Sequence, residues 1–225
     1  MVLAVTVILA SLLFPALGGV RETANRMMCG SNQRQIGMGI TLFANDWNDE
    51  LPASSFQEFD LAQEMMAVST GTQLVTAEHQ GVEGLGRLLI GYLDTPSCLY
   101  CPSHTGDHEY CKYKSELQVQ ATDWQYSELP IYINYHYAGH LDPSEQFKKR
   151  RLDNKHGEVL VTDGLRTLAD FNHDHGANTL HGDGAVVWVE DAGGIIKEQL
   201  PKSETLAPGG QWPRYQEIWE LLGTD

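Results

Sequence analysis

The chain has 225 residues, and its 30 Asp and Glu against 15 Lys and Arg give a net charge of -15. A charge of this sign and size repels phosphate backbones, so we expect no nucleic-acid partner. About 175 residues follow Glu50, enough for one sizeable core and too few to demand two large domains. We therefore predict an N-terminal segment over 1–50 and one globular head over 51–225.

Residues 1–20 contain no charged side chain, and a polar helical sequence follows them without a loop signal. Twenty helical residues span roughly 30 Å, the thickness of the hydrocarbon core of a bilayer. A cleaved signal peptide needs a basic segment before its apolar stretch, whereas here the apolar stretch begins directly after Met1. We predict one helix over 1–50 that serves as transmembrane anchor and stalk, and we expect the true start of the protein to lie upstream.

The stalk carries an apolar stripe at helical spacing. Ile36, Ile40, Phe43 and Trp47 occupy positions i, i+4, i+7 and i+11, which places them on one face of a helix. We expect this face to pack against the head.

The head shows helical spacing first and strand signals later. Two short helices are expected within 56–69 and 82–93, and a long irregular loop containing three cysteines within 95–129. Residues 131–137, 159–162, 178–180 and 185–189 read as strands, with Asp183-Gly184 in a tight hairpin turn, and 212–222 as a final helix. The basic run 148–151 is expected at a solvated helix end. The predicted fold is α+β: a long N-terminal helix packed on a small antiparallel sheet.

Four cysteines fit a thiol-oxidising compartment, and the predicted membrane segment favours disulfides among Cys29, Cys98, Cys101 and Cys111. Four cysteines allow three pairings. Cys29 with Cys101, leaving Cys98 with Cys111, would join head to stalk. Two alternatives stay open, a zinc site that adds His104 and His108 to the mid-chain cysteines, and a redox pair at Cys98 and Cys101.

A second cluster contains His173, His175 and His181 with nearby aspartates. His-x-His on a strand points both rings to one face, so His173, His175 and Asp183 are candidate metal ligands. The structural alternative is that Gly184 supplies positive φ to a hairpin while His173 binds a loop carbonyl. No phosphate loop, nucleophile elbow or His-Glu-x-x-His pattern occurs in the sequence, and we do not expect an enzyme.

An apolar helix ending in Leu-Phe-Pro-Ala-Leu is followed by Arg21–Arg26, Cys29 and Asn32–Gly37. In these residues the sequence resembles the N-terminal stalk of bacterial prepilin-like proteins. One branch of that superfamily carries Cys-Pro-Ser, a Tyr-Asn strand and His-x9-Asp-Gly, to which correspond Cys101-Pro102-Ser103, Tyr132, Asn134, His173, Asn178, Leu180 and Asp183-Gly184. The basic leader, cleavage point and docking glutamate of family precursors have no counterpart here, so none of these roles is assigned.

The resemblance implies a subunit similar to the major pseudopilin of type II secretion or type IV pilus-like systems. Such a subunit crosses the inner membrane once, holds its head in the periplasm and self-assembles through its N-terminal helix. The implied partners are other copies and other pseudopilins, the inner-membrane secretion platform and membrane lipid. Major-type heads bind calcium through loop oxygens, which the acidic loops here permit. The alternative is a membrane-tethered metal-binding protein that uses His173, His175 and Asp183.

Overall fold

The computed structural model describes residues 2–58, 61–70, 81–120, 130–142, 148–154, 157–202 and 212–223. For residues 2–17, 58, 70, 118–120, 154 and 212 it describes the backbone alone. Within these ranges the protein is α+β, with one long N-terminal helix and small antiparallel sheets.

Helix α1 runs without interruption over Val2–Asp46, a length of about 70 Å. Among the described residues, no helix combines the length and the hydrophobicity that crossing a bilayer requires. The side chains of 1–17, which make up most of the predicted membrane anchor, lie outside the described part of the structure. The anchor therefore stays a prediction.

The main sheet has four strands in the order β3-β6-β7-β8, all antiparallel neighbours. Its strands are β3 (Tyr135–Tyr137), β6 (Val159–Asp163), β7 (Gly176–His181) and β8 (Val186–Glu190). Strands β6 and β7 are fully buried and β8 is half-buried at the edge. The predicted β7–β8 hairpin and the strand at 159–162 are confirmed.

Two smaller sheets complete the strands: β1 (Ala67–Thr70) pairs with β2 (Pro130–Tyr132), and β4 (Leu141–Asp142) with β5 (Lys148–Lys149). The remaining α-helices are α2 (Ser55–Glu58), α3 (Tyr110–Gln120), α4 (Ile195–Gln199) and α5 (Trp212–Gly223). Short 3-10 turns lie at 62–64, 84–89, 96–99, 152–154 and 168–170.

Helix α1 packs across the main sheet, chiefly on β7, and on the turns at 84–89 and 96–99. Ile36, Ile40 and Phe43 are buried there, as their spacing predicts. Trp47, directly after the last residue of α1, is half exposed. Its ring still stacks on Phe43, and its indole N–H donates to the Tyr92 hydroxyl.

The predicted final helix is confirmed as α5, whose Tyr215, Ile218 and Leu222 are buried against the head. Tyr215 donates to the carbonyls of Leu165 and Arg166 and stacks on His136 of β3. This docking covers β6 and the 62–64 turn.

Several element predictions in the head are wrong. The sequence 56–69 forms only the short α2 and one 3-10 turn before β1, because residues 67–70 pair with β2. The stretch 84–89 is a 3-10 turn, and the predicted loop 95–129 contains α3. Residues 59–60, 71–80 and 121–129 lie outside the described ranges. The basic run at 148–151 begins in strand β5 and not at a helix end.

The predicted strand 131–137 is divided into β2 and β3, which belong to different sheets. The break lies at Ile133 and Asn134, whose backbone N–H groups donate to Met66 and Leu99. The Asn134 side chain accepts from the Cys101 N–H and donates to the His108 carbonyl. These local bonds take the backbone out of a continuous ladder.

Candidate functional site

One face of α1 carries polar side chains toward its N-terminal part and apolar ones toward its C-terminal part. Glu22, Arg26, Cys29 and Gln33 lie at i, i+4, i+7 and i+11, and Ile36 continues the same row. At 3.6 residues per turn these positions share one side of the helix. The side that packs on the head therefore begins well before the apolar stripe that the sequence reveals.

Cys29 is joined to Cys101 by a disulfide, with a Cα–Cα distance of 5.4 Å. Both residues are buried, and the bond links α1 to the loop that follows the 96–99 turn. The predicted pairing of stalk and head is confirmed.

The predicted second disulfide, Cys98 to Cys111, is wrong, because both cysteines are free. Cys98 is buried in the 96–99 turn, where burial raises the pKa of its thiol to about 11. Cys111 lies on the exposed side of α3, and its thiol donates to Glu109. One thiol faces the core and the other faces solvent.

His173 lies next to the disulfide and is buried. Its Nδ1 is paired with the carboxylate of Glu22 on α1. Its Nε2 faces Cys101 Sγ at 3.5 Å and Asp163 Oδ2 at 3.5 Å. The edge of the Trp188 indole packs on the ring. This histidine thus contacts the stalk, the disulfide and the sheet together.

Asp163 ends strand β6 and is fully buried. Burial raises the pKa of its carboxyl to about 6, against the opposing effects of His173, Asn178 and Gln33. The Asn178 backbone N–H and side-chain amide donate to Oδ2 at 2.6 and 3.0 Å, and Gln33 donates to Oδ1 at 3.3 Å. Hydrogen bonds are what make a buried carboxylate tolerable.

Asn178 connects β7 to strand β6 and to helix α1. Besides Asp163, its side-chain amide donates to the Arg26 carbonyl of α1 at 3.3 Å. Its own carbonyl accepts from Gln33 of α1 and from the Thr162 hydroxyl of β6. This residue holds α1, β6 and β7 in one register.

The His-x9-Asp-Gly spacing corresponds to the length of β7. His173 precedes the strand, and Asp183-Gly184 forms the turn after it. Asp183 Oδ1 accepts from the Ala185 N–H at 2.9 Å, and Gly184 has φ +83°, a value that glycine adopts without strain. The motif residues therefore lie at opposite ends of a strand and do not form one site.

The predicted metal triad is not assembled. His173 is buried, whereas His175 and Asp183 are exposed and six residues of β7 separate the two ends. A strand of that length spans about 20 Å. The physical reason is that His175 lies in the turn before β7, so the expected one-face geometry of a strand does not apply.

The zinc alternative in the mid-chain loop is not assembled either. His104 pairs with Asn172, and His108 lies between Tyr113 and Arg166. Cys98 and Cys111 take no part in a common cluster with them, among the residues that the structure describes. The calcium prediction names no ligands and stays a prediction.

The described residues bring together one different group, Cys29, Cys101, Asp163 and His173, whose candidate ligand atoms all lie within 4.8 Å of one another. A cleft of about 430 Å³ opens beside it, lined among others by Glu22, Arg26, His173 and Trp188. The Arg26 guanidinium lies 4.2 Å from the centre of the Trp188 ring.

Sequence reasoning missed Glu22, Gln33 and Asp163. A search for apolar periodicity passes over polar residues, yet Glu22 and Gln33 share the heptad-like row of Cys29. That row was the available signal. Asp163 carried no sequence signal beyond its place at the end of a β-branched strand.

Comparisons of this chain with protein-family models, with curated proteins and with solved structures found no match.

Proposed function

We propose that this chain is a non-enzymatic, pseudopilin-like structural subunit of a secretion or pilus-like assembly. In this proposal residues 1–20 anchor it in the inner membrane and the head lies in the periplasm or an equivalent space. Copies associate through α1. The observation that carries the proposal is an apolar face of α1 that no described part of the chain covers.

That face contains Val20, Met27, Met38 and Leu42, which we call the outward face. At about 100° per residue these four positions lie within roughly 60° of one another, opposite the buried row of Cys29, Ile36 and Ile40. The exposed Ser31 and Arg34 lie on the same side of the helix between Met27 and Met38. Met27 is 70% exposed and Met38 is 61% exposed. Single exposed apolar residues are common, but an aligned row favours a packing partner.

Methionine suits such a contact, because its flexible side chain adapts to neighbouring helices. The outward face lies on the same helix as the apolar residues 2–17. A row that continues from the predicted anchor into the stalk matches a subunit whose helices pack side by side. Van der Waals packing of helices drives association in lipid.

The attachment of α1 to the head supports the same proposal. A disulfide, the Glu22–His173 pair and the Gln33 and Asn178 hydrogen bonds hold the stalk on the sheet. A disulfide is typical of a periplasmic or extracellular location. Force applied to the helix in a filament would reach the head through these bonds.

The test is a full-length double variant, Met27→Lys with Met38→Lys, produced in membranes and analysed by native electrophoresis and light scattering. Charges on the outward face are expected to abolish oligomers, because association would bury two or more lysines. The matched control is Leu168→Lys with Ile195→Lys, which makes the same chemical change at exposed apolar residues of the head.

The proposal predicts oligomers for the wild type and the control, and monomers for the outward-face variant, all with unchanged circular dichroism. Equal oligomer size in both variants would contradict it. A monomeric wild type in membranes would do so as well, and would favour a tethered binding module.

A further inference from the structure

Four potential ligands from four different segments meet at the junction of stalk and head. They are Cys29 of α1, Cys101 of the loop after the 96–99 turn, Asp163 at the end of β6 and His173 before β7. All four are buried. Two thiolates, an imidazole and a carboxylate form a ligand set of the kind that binds Zn²⁺.

Two of the ligand–ligand distances fit tetrahedral coordination, whereas the sulfurs of Cys29 and Cys101 are bonded to each other in this structure and have to separate on reduction. With a Zn–N bond of about 2.0 Å and a Zn–S bond of about 2.3 Å, a tetrahedral angle places N and S about 3.5 Å apart. His173 Nε2 lies 3.5 Å from Cys101 Sγ and 3.5 Å from Asp163 Oδ2. Two edges of the required tetrahedron are therefore present before any metal enters.

The groups around these ligands are arranged as in metal centres. Metal-binding histidines usually donate their other ring N–H to a carboxylate, which fixes the tautomer and orients the ring. Here Glu22 is paired with Nδ1 of His173, and Nε2 faces Cys101 and Asp163. In the tautomer with the proton on Nδ1, the Nε2 lone pair is available to a cation. Asn178 and Gln33 orient the Asp163 carboxylate in the same way.

We propose that, before its disulfide forms, this chain binds one Zn²⁺ or similar divalent transition cation through Cys29, Cys101, His173 Nε2 and Asp163. Binding the cation releases the two thiol protons to solvent. Oxidation by a disulfide-bearing partner then forms the S–S bond, passes two electrons to that partner's disulfide, whose sulfurs take up two protons as thiols, and releases the cation.

The two states would serve the same mechanical purpose. In the reduced chain the cation joins α1 to the sheet through four ligands, and in the oxidised chain the disulfide joins α1 to the mid-chain loop. The cleft that reaches Glu22 and His173 offers a path for the cation. This inference does not depend on the proposed assembly of α1.

The experiment uses Co²⁺ on the full-length chain, solubilised in detergent and purified with its cysteines reduced. We expect one equivalent to bind, with the visible absorption of tetrahedral cobalt and a thiolate-to-cobalt charge-transfer band. The oxidised chain is expected to show neither. Titrating a disulfide oxidant into the cobalt form should release one equivalent of metal as the thiols disappear.

Variants assign the ligands. His173→Ala is expected to remove the tetrahedral spectrum, and Glu22→Gln to weaken binding by about 10- to 100-fold, the usual effect of losing an orienting partner. His175→Ala is the matched control, because this exposed histidine lies two residues away. Cys98→Ser with Cys111→Ser removes the free thiols and should leave the spectrum unchanged.

A readout on the wild type makes the test independent of variant folding. One equivalent of Zn²⁺ should protect Cys29 and Cys101 from alkylation while Cys111 still reacts. A reduced chain that folds only when Zn²⁺ is added also supports the proposal. A folded reduced chain that binds no metal overturns it, as do binding that survives His173→Ala and a reduced chain that stays unfolded with Zn²⁺.

Discussion

The inward and outward faces of α1 differ over the same stretch of helix. The inward face buries Cys29, Gln33, Ile36 and Ile40 against the head, whereas the outward face exposes methionine and leucine. If the helix served only to hold the head, its outer side would need no apolar row. Under the proposed function, the inward face packs on the head of its own chain and the outward face packs on another copy.

The inward face is itself divided. Its N-terminal part makes directional bonds, with the disulfide, the Glu22–His173 pair and the Gln33 amide. Its C-terminal part supplies apolar burial through Ile36, Ile40 and Phe43. Directional bonds fix register and orientation, and burial supplies most of the stabilising free energy. Substitutions in the two parts of this face separate the two contributions.

The largest effect is expected from Cys29→Ser, measured with a chelator present. The disulfide joins residues 72 positions apart, and the chain-entropy estimate for such a loop is about 4 kcal/mol of unfolding free energy. Chemical denaturation of the oxidised full-length protein measures this loss. Cys111→Ser, which replaces an exposed free thiol, should leave the unfolding free energy unchanged. Equal stability of the two variants would mean that the cross-link does not constrain the unfolded chain.

A smaller loss of unfolding free energy, about 3 kcal/mol, is expected from Ile40→Ala, since this substitution leaves a cavity between α1 and the head. The comparison is Leu42→Ala, two residues along the same helix on the outward face, where the change should stay within about 0.5 kcal/mol. Chemical denaturation of the detergent-dispersed protein gives both changes in unfolding free energy. Similar losses at the two positions would remove the distinction between the faces.

The smallest effect concerns the head away from α1. His136 is fully buried against Tyr215, and desolvation lowers the pKa of its imidazole to about 3. A depressed pKa means that the folded state binds fewer protons below pH 6.5, so stability falls as the pH drops through that value. The contribution of His136 to the loss at pH 5.5 relative to pH 7.5 should be about 1.4 kcal/mol. Because the raised pKa of Asp163 acts in the opposite sense over this range, the contribution is read as the difference between the wild type and His136→Phe.

His136→Phe is expected to lose this part of the pH dependence while keeping the ring stack on Tyr215. The measurement is the unfolding free energy of both proteins across pH 7.5–5.5. A wild type and variant with parallel pH curves would show that His136 is not the titrating group.

Sequence periodicity predicted α1, the β7–β8 hairpin and α5 because each has a long or strongly patterned signal. It failed where tertiary bonds override local preference, as at Asn134, whose side chain divides one predicted strand into two. Cys29 and Cys101 could be paired by reasoning about stalk and head. The ligands of the candidate metal site could not be predicted from the sequence. Adjacency in sequence placed His175 and Asp183 near His173, whereas the fold brings Asp163 there instead.

The outward face is tested most directly by cysteine cross-linking in membranes. In a Cys111→Ser background, Met38→Cys on the outward face and Lys149→Cys on exposed strand β5 are each oxidised in intact membranes. Association through the outward face predicts cross-linked dimers for Met38→Cys and few for Lys149→Cys. Cross-linking of Met38→Cys that is absent, or only as strong as that of Lys149→Cys, would contradict association through this face of α1.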